Sequence, residues 1–116
     1  MIQANELRIG NIVSQYHSWG VPVPYWREWE IAIGDDINHV LGNPNKYNGI
    51  TLTEEWMIRL GFQNLGSNFF LGNFYYSDKN KTLSWKGIIL HDSLWNEVHK
   101  FQNIVYSLTG QELEIK

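Results

Sequence analysis

Three sets of side chains in this sequence could do chemistry. Asp35, Asp36 and His39 place three side chains of metal-ligand type within five residues, and hard or borderline cations take such oxygens and imidazoles. His91-Asp92 sets a carboxylate beside an imidazole, the pairing that fixes a histidine tautomer. His99, Gln102, Asn103 and Tyr106 recur at helical spacing, a polar row able to hold a ligand or a base. Each set also has a plainer reading. Asp-Asp after Gly34 is ordinary turn chemistry, and His39 on a strand would point away from a tight turn site. Nothing completes a ligand shell, so no metal is expected. Adjacent residues rarely face each other, and Asp92 suits a helix N-terminus, where negative charge is favoured. His99 lies one position off an apolar stripe and is expected to hydrogen-bond at a helix–sheet seam.

No Gly-x-Ser-x-Gly elbow, phosphate loop or dinucleotide fingerprint occurs. The chain has no cysteine, which removes disulfides, thiolate nucleophiles and cysteine zinc sites together. No catalytic residue and no cofactor is assigned, and a non-enzymatic role is the expectation. A small hydrolase using His91 or His99 is the chemical alternative.

Binding chemistry is better represented. Tyr16, Trp19, Tyr25, Trp26 and Trp29 put five aromatics in fourteen residues, beside Pro22 and Pro24. Trp29 fits the core face of a strand. Trp19, Tyr25 and Trp26 sit where the prolines stiffen a loop. Rigid Trp and Tyr side chains dominate binding interfaces because they bury much area for little entropy. These three are the expected anchors of a protein interface, with Glu28, Asp35 and Asp36 as charge contacts. The same rings could stack on unpaired bases, the basis of a second reading as a single-stranded RNA or DNA module using Lys79, Lys81, Lys86 and Lys100.

Charge narrows the partners. Net charge is −3; residues 1–60 hold seven acids against four bases, and residues 61–116 hold five of each. No Lys/Arg cluster exists to replace counterions along a duplex. An acidic front half suits a basic protein surface, including one that normally holds nucleic acid. No apolar stretch approaches the ~20 residues that cross a bilayer. The start, Met-Ile-Gln-Ala-Asn-Glu-Leu-Arg, lacks a basic stretch followed by an apolar run, so no signal peptide is expected. The cytoplasm of a bacterial cell is the expected compartment.

The elements that must position these residues read as α+β with antiparallel sheet, in one domain over 1–116. Glu6 to Val13 predicts a strand with a Gly10-Asn11 turn or bulge inside it. After the aromatic segment a strand begins near Trp26, turns at Gly34-Asp35-Asp36, and returns from Ile37 to Leu41. These front strands suit a small half-open barrel of SH3-like kind. Residues 42–49 are the richest turn segment, dividing a β-rich front (1–49) from a helix–hairpin–helix remainder (50–116). Thr51 and Glu54 have capping-box spacing for a short helix, which Gly61 ends with Phe62 as its hydrophobic contact. Gly72-Asn73 predicts a hairpin between 68–71 and 74–77. Thr82 to Trp85 and Gly87 to Leu90 read as one strand broken at Lys86-Gly87. Leu94, Val98, Phe101, Val105 and Leu108 form the stripe of a long last helix, capped by Ser93 and stopped by Gly110.

Three segments together carry a resemblance: Asn5-Glu6-Leu7-Arg8-Ile9-Gly10-Asn11-Ile12-Val13, Ile50 to Phe62 (Ile-Thr-Leu-Thr-Glu-Glu-Trp-Met-Ile-Arg-Leu-Gly-Phe), and Val98 to Leu113 with its Leu-Thr-Gly-Gln-Glu-Leu end. In this order they resemble a family of small proteins of Bacteroidetes phages, prophages and mobile elements. The resemblance implies a shared scaffold and a mobile-element setting, and it brings no catalytic residue. Residues 14–49 depart most from it. The function expected on both grounds is binding and inhibiting or modulating a host protein, in the manner of an anti-defence, anti-CRISPR-like inhibitor.

Overall fold

The computed structural model describes Ile2 and residues 6–113. It is α+β, with two antiparallel sheets and a long C-terminal helix. The first sheet holds β1 (Ile12–His17), β2 (Tyr25–Glu30) and β3 (Tyr47–Asn48) in the order β2-β1-β3. The second is a five-stranded meander, β4 (Gln63–Leu65), β5 (Asn68–Leu71), β6 (Phe74–Ser77), β7 (Thr82–Trp85) and β8 (Ile88–Leu90), in chain order. Helices α1 (Gly34–Gly42), α2 (Glu54–Arg59) and α3 (Val98–Thr109) complete it.

β1 is a wall shared by two cores. Successive strand residues face opposite sides, so Ile12 joins one cluster and Val13 the other. The larger cluster packs Trp56 and Met57 of α2, its C-cap Leu60, and Val98, Phe101 and Val105 of α3 on Phe69, Phe74, Tyr76 and Leu83 of the second sheet. The smaller one gathers Val13, Ile31, Val40 and Tyr47, with Trp29 and Ile37 at its margin.

Several expected elements are present. Leu71 pairs with Phe74 across Gly72-Asn73, a two-residue hairpin loop. α2 ends in a full Schellman arrangement, with Gly61 N donating to Ile58 O and Phe62 N to Met57 O, each at 3.0 Å. Gly110 takes the left-handed conformation, φ +73°, and donates to Tyr106 O.

Others differ, each for a physical reason. Gly10 and Asn11 form a turn before β1 rather than a bulge within a strand: Arg8 O accepts from Asn11 N, and Gly10 has φ +98°. Gly34-Asp35-Asp36 does not turn a hairpin, and Ile37 to Leu41 is not a strand; all lie in α1. Ile37 and Val40 at i, i+3 reach one core, while Leu41 stays 61% exposed, which is helical periodicity. The cap of α2 is Thr53, whose hydroxyl accepts from Trp56 N at 3.3 Å, while Thr51 bridges to Glu97. β7 and β8 are separate strands. Lys86 and Gly87 both have positive φ (49° and 83°), the requirement of a type I′ hairpin turn. α3 starts at Val98 instead of following Ser93. Ser93 N donates to the His91 ring within a 3-10 turn over Asp92–Leu94, and Leu94 is left half-exposed off the stripe.

Candidate functional site at the aromatic hairpin

β1 and β2 form a hairpin whose register sets the aromatic rings in pairs. Tyr16 stands opposite Trp26, and His17 opposite Tyr25. Both pairs meet edge to face with ring centroids 5.4 Å apart, a favoured quadrupole geometry. Residues 18–24 connect the strands, and the loop carries Trp19 at 86% exposure and Val23 at 73%. Tyr25 and Trp26 therefore lie on a strand rather than in a loop, but they stay 47% and 43% exposed. Trp29 turns inward onto Tyr47, centroids 5.2 Å apart.

Alternation divides the candidates between two faces. Trp26 and Tyr16 share a face with Ser14, Glu28 and Glu30. Tyr25 and His17 share the opposite face with Arg27 and Trp29, the side on which α1 packs. Trp19 projects from the tip between them. The hairpin is a finger with rings on both sides rather than a flat plate.

The acidic candidates are unequal. Glu28 is bound to Arg59 of α2 at two points, 2.6 and 2.9 Å. The Arg59 hydrogen bonds hold its carboxyl below the ordinary range against a smaller opposing effect of partial burial, and the same contact raises Arg59. The Arg59 guanidinium also lies 4.0 Å above the Trp56 ring. These groups, with Ile12, Trp29 and Glu30, line a cleft of about 310 Å³. Asp36 accepts from Ala32 N at 2.8 Å and Ile33 N at 3.0 Å, fastening the entry to α1. Asp35 is exposed in a shallow depression with Asn38, His39 and Asn43. Among the described residues no group of three or more His, Asp or Glu side chains could hold a metal ion.

The polar row of α3 has structural work. Gln102, 1% exposed, accepts from Ile12 N at 2.9 Å and donates to Gly10 O at 3.0 Å. Asn103 donates to Glu6 O at 2.6 Å and accepts from Arg8 Nη1 and Asn11 Nδ2, both at 2.8 Å. Arg8 lies 4.0 Å over the Tyr106 ring and pairs with Glu112. His99 is fully buried with its Nε2 3.1 Å from Glu6 Oε2. The row is thus a clamp on residues 6–12.

His91 is not set in a serine–histidine–aspartate relay. His91 meets Ser93 Oγ at 2.8 Å and Asp92 Oδ1 at 3.2 Å, but both address Nδ1. A serine–histidine–aspartate relay needs them on opposite nitrogens. The four lysines are dispersed over the second sheet and α3. Lys81 pairs with Asp78 and Lys100 with Glu97, while Lys86 lies over Trp85. Among the described residues no track of free cations runs beside the hairpin rings. The cross-strand pairing of Tyr16 with Trp26 escaped the sequence reading, although both residues flank the same Pro-rich loop. Comparison with family models, with curated proteins and with solved structures finds no match for this chain.

Proposed function

We propose that this chain is a non-enzymatic binding protein of a phage or mobile element that captures a host protein and inhibits or modulates it. Its specific form is an anti-defence, anti-CRISPR-like role on a nucleic-acid-handling effector in the bacterial cytoplasm. One observation carries the reading: Tyr16, Trp19, Val23, Tyr25 and Trp26 are all exposed on one hairpin. Solvent-facing rings held rigidly by cross-strand partners are what interface anchors require. Rings on both faces fit a partner groove that grips the finger, with Trp19 at its tip. Asp35 is the acidic candidate whose carboxylate makes no hydrogen bond among the described residues, and it suits a basic group on the partner. The mobile-element setting rests on the sequence resemblance.

The test is affinity capture from a Bacteroidetes host lysate with the intact chain and with a Trp19→Ala/Trp26→Ala variant, followed by reconstitution with the purified partner. Loss of a defined partner in the variant supports the reading. Equal capture by both proteins refutes it.

A further inference from the structure

We propose that β8 pairs with β8 of a second copy of this chain, joining two five-stranded sheets across a two-fold axis. β8 is the last strand of its sheet, and its outer edge has no partner strand among the described residues. Exposed edges are normally guarded by charge. The β2 edge carries Arg27, Glu28 and Glu30, and β4 begins with two amides, Gln63 and Asn64. β8 is Ile-Ile-Leu, with Ile88 62% and Ile89 69% exposed.

The backbone direction selects the register. Lys86 N donates toward β6, to Asn73 O at 3.1 Å. The polar groups of Trp85 therefore face β8, and Trp85 with Ile88 forms the bonded pair that closes the turn. One residue on, the N–H and C=O of Ile89 point out of the free edge. An antiparallel contact centred on Ile89 bonds these groups to the partner's Ile89. It sets Ile88 opposite the partner's Leu90. Lys86, in the β7–β8 turn before β8, and the partner's Asp92, which follows its β8, come to the same corner at both ends of the contact. Asp92 is 72% exposed. Shifted registers shorten the apolar overlap and separate these charges. An isologous contact needs a surface complementary to itself, and this short segment is one in hydrogen bonding, apolarity and charge.

The experiment is sedimentation of the full chain over a range of concentrations. A dimer that dissociates on dilution is expected. Ile89→Lys abolishes it. Ile89→Pro does so as well, because it removes only an outward N–H and edge strands tolerate proline; if that variant misfolds, Ile89→Lys decides. Lys86→Asp and Asp92→Lys each weaken the dimer about tenfold, and mixing the two restores it, since every charged contact is then opposite in sign. Trp19→Ala/Trp26→Ala leaves it intact, which separates this contact from the hairpin. A monomer at every concentration overturns the proposal. So does a dimer indifferent to Ile89→Lys, or single-charge variants that stay weak when mixed.

Discussion

Glu28 and Arg59 meet side-on, two oxygens against two guanidinium nitrogens at 2.6 and 2.9 Å, and so tie β2 to α2. The pair is half-exposed, with side chains 51% and 31% accessible, so solvent screens it. A double-mutant cycle with Glu28→Gln and Arg59→Gln should give a coupling of about 0.5–1 kcal/mol at neutral pH. The pH dependence has a definite sign. The folded Glu28 pKa lies below its ordinary 4.5, so the stabilisation is complete above about that pH and is lost as pH falls through the depressed value. Chemical denaturation of the four proteins at neutral and acidic pH would show a coupling that vanishes in acid.

Gln102→Ala should be among the most destabilising single changes. It orphans Ile12 N and Gly10 O in a buried seam, each an unsatisfied group costing about 1–3 kcal/mol. A loss of roughly 2–4 kcal/mol is expected in urea unfolding. Gln102→Glu keeps the acceptor for Ile12 N, and its loss should differ from that of alanine.

The neighbouring acids Asp35 and Asp36 should separate cleanly. Asp36→Ala releases two backbone N–H groups at the start of α1 and should cost about 1 kcal/mol. Asp35→Ala should leave stability within about 0.5 kcal/mol while weakening partner capture. Thermal melts set beside capture assays distinguish the two.

Trp19→Ala should barely move the melting temperature, since the ring is 86% exposed. Trp26→Ala loses the edge contact with Tyr16, worth about 0.5–1.5 kcal/mol. Capture should fall far more than stability in the double variant. A collapse in melting instead would mean that the rings support the fold.

Gly110→Ala tests the stop of α3. Its φ of +73° costs a residue with a Cβ about 1–2 kcal/mol, so the variant should melt earlier with its fold unchanged.

Much of this architecture is legible in the residues. Gly72-Asn73, Gly61-Phe62 and Gly110 mark their turns and caps because each special backbone geometry demands one residue type. Misreadings cluster where an apolar run is short. Ile37, Val40 and Leu41 are spaced i, i+3, i+4, and Asp35 and Asp36 just before them fall in a helical first turn, so the short run belongs to a helix. The β7–β8 turn hides because Lys86 is a non-glycine at positive φ. For the site, the aromatic composition is visible in the sequence. That Tyr16 stands against Trp26 depends on strand pairing, which no local pattern contains. The same holds for Glu28, whose partner Arg59 is 31 residues distant.

The clamp of α3 on residues 6–12 bears on the order of synthesis. Ile12 N awaits Gln102, 90 residues later, and the Glu6 carbonyl awaits Asn103. A ribosome makes residues 6–12 first, but the groups that complete their turn follow some 90 residues later. The wall strand β1 cannot be sealed on its Ile12 side before then, so the larger core closes only after α3 has left the exit tunnel. A chain truncated before His99 would expose Ile12 and its unpaired amide together.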